Sequence, residues 1–347
     1  MAVLVDAIAE AEVDQSDPVA PPSSTIAITD ALAALGFEPV EVALEAARTH
    51  AWVQDLIDGR FRLVFNLCES VGGRAAAEHL PAATVELLGV PMTGASSATL
   101  LNCLHKNRCS AVLQTHGVRV PAWHYVGRHD PVPRHWRHYP CIVKPAAEDA
   151  SNGVHADSVV RSPTELADAI QRLRANWGGL ILQQFVTGRE INMAIVGRNV
   201  LPPSEIDFSD LPDSQPHIVS YAAKWQLDTP EYRGTRPICP APLPPGLRQD
   251  LLHVATRSWE LMDGAGYARV DVRLTDDGHA YVIDVNPNPD LSPDAGLARQ
   301  AAAAGWSYRD LIERIVEEAL VRPKEAGAAS GRTWAFPSDA ASDERTA

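Results

Sequence analysis

The sequence predicts an α/β protein, with α+β portions, built from more than one domain. Three observations carry that prediction. The chain has 347 residues, enough to enclose more than one core. Its first hundred residues alternate apolar strand-like runs with helical patterns, which implies a mostly parallel sheet. Towards its C-terminal end, two runs of period-two alternation flank Asp277-Gly278, the strongest short-range hairpin signal a sequence offers.

In chain order, residues 2–5 read as a buried strand, and a helix follows from Ser24 to Leu35, with Gly36 as its C-cap. The run Pro39 to Leu44 gives a second strand and residues 61–70 a third, ending in polar residues before Gly72-Gly73. Ligands gather beyond the carboxyl ends of such strands. Glu69 stands there, either as a site residue or as a helix-capping surface acid. A helix is expected over 75–88 and another over 97–117, carrying Lys106. Residues 118–121 and 123–126 read as strand material, and residues 140–145 place Lys144 at the end of a buried strand. The small and turn-forming residues that follow could converge with that ammonium on anionic oxygens. Ser162, Pro163 and Glu165 form a helix start, and residues 180–186 give an apolar strand that turns polar. Residues 209–236 show little regular pattern, and read as a functional lid or a disordered insert. Helices are expected over 246–263, 295–304 and 308–321, and a disordered tail beyond.

The hairpin at 266–293 organises the rest. With Asp277 and Gly278 as a two-residue turn, paired positions sum to 555, by the arithmetic 277 + 278. Val270, Val272 and Leu274 then face Val285, Ile283 and Tyr281, an apolar face. On the other face Asp271 opposes Asp284 and Arg269 opposes Asn286. Two opposed carboxylates repel unless a cation lies between them, and hard oxygen donors are what Mg²⁺ prefers. A solvated hairpin edge is the plainer alternative, but it does not account for Arg, Asp, Asp and Asn sharing one face.

Composition excludes several classes. A net charge of −14 argues against nucleic acid as a partner, and no apolar run is long enough to span a bilayer. The N-terminal stretch lacks a basic n-region and is not read as a signal peptide. Five scattered cysteines in an odd count suit reduced thiols, and cytoplasmic localisation is expected.

Taken in order and spacing, these motifs resemble the ATP-grasp superfamily, and within it the D-alanine–D-alanine ligase-like carboxylate–amine ligases. The likeness covers roughly residues 60–320. It implies a three-domain ATP-grasp fold with an N-terminal Rossmann-like domain. The expected domains are 1–102, 103–182 and 183–323, with 324–347 as the tail. It also implies that ATP phosphorylates a substrate carboxylate to an acyl phosphate, which an amine then attacks. The resemblance assigns Lys106, Lys144, Ser151 and Lys224 to the phosphates, and Gln183, Phe185 and Val186 to the adenine. It assigns Glu190 to the ribose. Asp271, Asp284 and Asn286 would hold two Mg²⁺ ions, or Mn²⁺ in their place. Arg269 would stabilise the oxyanion, with Lys224 beside it, and Glu69, Asn288 and Ser292 would meet the substrates. The partners implied are small amino acids or amines, and a homodimer is the assembly the resemblance allows.

Departures from the family bear on the substrates. The region that would supply an acid for the first ammonium reads EAEVDQSDPVAPPSS, and Pro287 to Ser292 replace a Gly-rich turn. Asp284 stands for the commoner Glu, and Gln183-Gln184 for hinge acids. A D-alanine–D-alanine ligase is therefore the alternative, and a non-catalytic ATP-binding regulatory protein a further one.

Overall fold

The computed structural model describes residues 1–7 and 24–322, so the expectations for the N-terminal acidic stretch and the C-terminal tail lie outside the described residues. The first unit holds β1 (Ala2–Asp6), α1 (Ser24–Ala34), β2 (Val40–Leu44), α2 (Thr49–Asp58), β3 (Val64–Asn66) and α3 (His79–Leu87). Its three strands are parallel in the order β2-β1-β3, as the alternation of elements predicts. Successive residues of β1 feed opposite cores. Ala2 and Leu4 pack with Trp52 and Val64, whereas Val3 and Val5 pack with Ile28, Leu32 and Phe65. Strand β3 is shorter than expected and frees residues 67–73 as a loop. Asp6 fastens that loop, accepting bonds from Ser70 Oγ (2.5 Å) and the Gly73 amide (3.2 Å).

The helix expected over 97–117 is two helices, α4 (Ser97–Leu104) and α5 (Lys106–Thr115). The chain leaves helical geometry at His105 (φ −78°, ψ 88°) and restarts on the His105 carbonyl, which accepts from the Arg108 and Cys109 amides. The break releases the Lys106 amide to bond the Ala146 carbonyl at 2.9 Å. Residues 118–121 are not a strand. The second sheet comprises β4 (Trp123–Gly127), β5 (Cys141–Pro145), β6 (Val159–Val160) and β7 (Gly179–Gln184), antiparallel in the order β4-β7-β5-β6. Helix α6 (Pro163–Arg174) covers it with Leu166, Ile170 and Leu173. Its N-cap Ser162 accepts from the Glu165 amide, as the sequence signals.

The third sheet contains β8 (Arg189–Val196), β9 (Asn199–Val200), β10 (Ser204–Asp207), β11 (Arg236–Ile238), β12 (Tyr267–Leu274) and β13 (Ala280–Asn286). Its order is β11-β10-β8-β12-β13, with β9 paired to β8. Between β10 and β11 run two short helices, α7 (Tyr221–Trp225) and α8 (Pro230–Arg233), each capped by the hydroxyl before it. One face of the sheet is covered by α9 (Pro245–Leu261) through Leu251, Ala255 and Trp259. The other is covered at one end by α10 (Gly296–Ala303) and α11 (Tyr308–Val321), against Ala194, Val196 and Tyr267. Helix α11 also lays Leu311, Ile312 and Ile315 against the core of the first sheet. Each such buried side chain contributes about 2 kcal/mol. The same sheet face is polar at its other end.

Candidate active site

The polar end follows from strand alternation across three strands. Strand β12 lies between β8 and β13, with Asp271 opposite both Asn192 and Asp284. Arg273 opposes Glu190, and Arg269 opposes Asn286. Because the side-chain period is two, Glu190, Asn192, Arg269, Asp271 and Arg273 share one face.

The hairpin reaches this register by a different route from the predicted one. The turn holds three residues, Asp276 to Gly278, between Thr275 and His279, whose amide and carbonyl bond at 3.0 Å. Gly278 takes φ +83°, the left-handed residue that such a turn requires. Near the turn, pairs therefore sum to 554, as in Leu274 with Ala280. A bulge between Asp271 and Val272 then skips Ile283 and restores the expected pairs Asp271–Asp284, Val270–Val285 and Arg269–Asn286. The predicted partners of Val272 and Leu274 are corrected to Val282 and Ala280.

Asp271 is buried and accepts three hydrogen bonds. Arg269 donates Nε and Nη2 to its two carboxylate oxygens at 2.8 Å each, and Asn192 Nδ2 donates at 2.8 Å. Asp284 accepts from Lys106 Nζ at 3.3 Å, and the same ammonium lies 3.4 Å from Asp149 Oδ1. Burial pushes Asp284 upward, but Lys106, Lys144 and Arg269 outweigh it and hold the carboxyl below its ordinary range. Burial would lower Lys106, but Asp284 and Asp149 raise it above an ordinary lysine. Lys144 lacks such a partner. Burial and the neighbouring Lys106 push it down to about 8.

The small-residue loop after Lys144 turns through left-handed positions at Ala150, Ser151 and Gly153. It is pinned to the segment carrying α7. Ser151 Oγ donates to the Val219 carbonyl (2.8 Å), the Tyr221 amide to Val154 (2.8 Å), and Trp225 Nε1 to Ala150 (3.1 Å). These bonds place α7, and Lys224 on it, over the polar face. Burial and then Arg269 lower the Lys224 pKa, while Asp271, Asp149 and Asp284 raise it. Residues 209–236 thus have the contacts of a lid.

Beyond β13, Asn288 Nδ2 donates to the Cys68 carbonyl (3.1 Å) and its Oδ1 accepts from Tyr267 (3.0 Å). Both ends of its amide are therefore held by protein, and the Cys68 contact brings Glu69 to the cleft. Glu69 is open to solvent but set among protein walls. Burial there, with Asp290 and Asp149, pushes its carboxyl up to about 7 against Lys224 and Arg269. Glu78 is buried behind it, and burial, Asp149 and Glu69 raise its carboxyl well above the ordinary value. Ser292 donates both its amide (2.7 Å) and its hydroxyl (2.6 Å) to Asp290.

At the end of β7, Gln183 and Val186 are buried, whereas Phe185 lies part-exposed under the Arg273 guanidinium. Glu190 is buried and paired with Arg273 at 2.8 Å. Sequence reasoning missed Asn192, Arg273, Asp149 and Glu78. The first two were within reach, because β8 pairs with β12 and both residues fall on the polar alternation. Among the described residues no group of three or more His, Cys, Asp or Glu side chains is arranged to hold a metal, and no helix is long and apolar enough to cross a membrane.

Comparison with known proteins adds an independent line. Residues 112–317 match the family described as D-ala D-ala ligase C-terminus. A D-alanine–D-alanine ligase of Geobacter sulfurreducens is 29% identical over 310 residues, covering 88% of this chain and 90% of that protein. One of Halorhodospira halophila is 30% identical, over 72% of this chain and 77% of its own length. Among solved structures, the Bacillus anthracis D-alanine–D-alanine ligase complexed with ATP superposes with a TM-score of 0.69 at 20% identity. It covers 92% of this chain and 96% of that one. The VanG D-Ala:D-Ser ligase of Enterococcus faecalis gives 0.72 at 16% identity, over 92% and 98%. At such identities these two likenesses speak for the fold, which is ATP-grasp.

Proposed function

The chain belongs to the D-ala D-ala ligase C-terminus family and is an ATP-dependent carboxylate–amine ligase, and from that premise we propose how its residues divide the work. The observation that carries the reading is the polar sheet face bearing Arg269, Asp271 and Asp284, with Lys106, Lys144 and Lys224 around it. ATP lies with its adenine against Gln183, Phe185 and Val186, its ribose at Glu190, and its phosphates towards the three lysines and the loop at Ser151. Point charges of this kind hold phosphoryl oxygens and orient the γ-phosphorus towards the substrate carboxylate. The carboxylate attacks it, giving an acyl phosphate and ADP. The amine then attacks the acyl carbon and releases phosphate. Arg269 faces the oxygen that gains charge in that step, and such donors supply about 3 kcal/mol.

The donor set fits Mg²⁺. Asp271, Asp284 and Asn286 offer hard oxygens from facing strand positions. Arg269 and Lys106 pair with the two carboxylates. Two carboxylates and an amide, completed by ATP phosphates, suit Mg²⁺, with two ions proposed and Mn²⁺ acceptable. When bound, the metal neutralises charge on the phosphates.

For the substrates we propose amino-acid-like molecules, with an acceptor amine that has no carboxylate beside it. Glu69 and Asp290 place carboxyl groups on this side, and Pro289 has no amide to offer an anion. Glu69, open to solvent and facing Lys224 and Arg269 across the cleft, is suited to hold an incoming ammonium and take its proton. The second reading is a D-alanine–D-alanine ligase, favoured by the relatives of that name. A homodimer and a cytoplasmic location, where ATP is supplied, complete the proposal. The test is phosphate release from ATP and Mg²⁺ across a panel of amino acids and amines. Fastest turnover with an amine lacking a carboxylate is expected. D-alanine alone as the best substrate would promote the second reading, and no stimulated release across a wide panel would count against ligase activity.

A further inference from the structure

Arg273 is buried, with a side chain only 5% exposed, and its contacts join parts of the cleft that are far apart in sequence. Its Nη2 lies 2.8 Å from Glu190 Oε2. Its Nη1 donates to the Gly188 carbonyl at 3.2 Å, in the turn that follows the hinge. Its Nη2 also donates to the His217 carbonyl, three residues before the Ser220 cap of α7. The guanidinium sits over two rings, 5.4 Å from the centroid of Phe185 and 5.5 Å from that of Phe208. Phe208 in turn stacks on His217, with centroids 5.4 Å apart and planes 12° apart. Gly188 permits this arrangement. Its φ is +146°, and a Cβ there would come within 2.1 Å of the Leu274 carbonyl oxygen.

One side chain therefore contacts the hinge, the ribose-side acid and the root of the lid. Each contact uses a different property of Arg. The ion pair with Glu190 uses charge, the two carbonyl bonds use the planar fork, and the two rings use the flat face. A lysine could reproduce only the first. An apolar side chain could fill the space between the rings and reproduce none of the polar contacts.

We propose that Arg273 is a positioning residue that couples the nucleoside end of the cleft to the lid. It holds the Glu190 carboxyl in place through Oε2, and through His217 it fixes the start of the helix bearing Lys224. The proposal rests on the reading of Glu190 as the ribose acid. Burial alone would favour the neutral form of Glu190, and Arg273 is the largest influence against that. A nucleotide whose sugar hydroxyls engage Glu190 thus rigidifies the same unit that carries the lid.

The test compares wild type, Arg273→Met, Arg273→Lys and Glu190→Gln, using ATP and its 2′-deoxy and 3′-deoxy analogues. Two readouts are taken: KM and kcat for each nucleotide, and nucleotide-dependent protection of residues 209–236 from protease. Wild type is expected to prefer ATP, and to be protected more by ATP than by the deoxy analogues. In Arg273→Met the KM for ATP rises about tenfold, kcat falls less, and both the sugar preference and the extra protection disappear. Arg273→Lys recovers much of the sugar preference but not the protection, a split that a merely structural role would not give. It also serves as the test if the Met variant fails to fold. Wild-type sugar preference and protection in Arg273→Met, or recovery of both by Lys, would overturn the proposal. If Glu190→Gln keeps the wild-type sugar preference, the ribose reading falls. If Glu190→Gln loses it while Arg273→Met keeps it, the coupling alone falls.

Discussion

The proposed nucleotide side and the proposed substrate side of this cleft are built on opposite principles. On the nucleotide side nearly every charge is answered within the sheet. Arg269 grips Asp271, Arg273 grips Glu190, and Lys106 lies between Asp284 and Asp149. On the substrate side Glu69, Glu78 and Asp290 crowd together, and the first two are pushed towards their neutral forms. A region whose charges cancel is preorganised and needs no ligand to hold its shape. A region with surplus acid is stabilised by what it binds, and so selects for cationic groups.

The contrast is sharpest at the two aspartates. Asp284→Asn removes one metal-facing charge but leaves Lys106 its bond to Asp149. Turnover should fall by about 10³-fold or more with little change in Tm, since interactions with developing phosphoryl charge are lost. Asp271→Asn should lose turnover and also about 2 kcal/mol of stability, because it strands the half-buried Arg269. Steady-state rates and thermal melts on both variants check this. Retained activity in both would remove the metal assignment.

Next in size is the substrate side. Glu69→Gln should lower kcat/KM for the amine by about 10²-fold while leaving the KM for ATP within a factor of about two. An equal effect on ATP would mean that Glu69 serves the nucleotide side, and the comparison would break.

Among the described residues Lys144, like Lys224, is a half-buried cation with no carboxylate within ion-pair distance. Its pKa is lowered to about 8, so the charged form that holds phosphate is present below that pH and is lost above it. In the pH profile of kcat/KM for ATP, which reports the free enzyme, the value should drop by about tenfold by one unit above that pKa. Lys144→Arg should keep the profile flat there.

The smallest effect concerns the lid, which Ser151, Tyr221 and Trp225 pin to the loop after Lys144. ATP with Mg²⁺ should slow proteolysis of residues 209–236 by several-fold, and Ser151→Ala should raise the basal cleavage rate by about the same factor. Cleavage indifferent to nucleotide would argue against closure over ATP.

The difference between the two sides also explains what the sequence could reveal. The polar face was legible because strand alternation is short-range. Arg269, Asp271, Asp284 and Asn286 follow from one hairpin, even though the turn is one residue longer than expected. The bulge at Ile283 absorbs that residue, and a bulge depends on packing that no period-two pattern encodes. Pairing of β8 with β12 is long-range, so Asn192 and Arg273 went unseen although their alternation was visible. The break at His105 has no Gly or Pro to signal it, and follows from the Lys106–Ala146 bond. Glu78 and Asp149 acquire their roles only when three loops converge, which composition cannot foretell.

The claim that unites both sides is chemical: one carboxylate is phosphorylated at the nucleotide side and one amine attacks it from the other. Quantifying nucleotide products against amide in a single reaction, with ATP, Mg²⁺ and the best substrate pair from the panel, tests it most directly. ADP, phosphate and amide should appear in equal amounts. AMP and pyrophosphate in step with amide would contradict the account, because the γ-phosphoryl group would then never have been passed to the carboxylate.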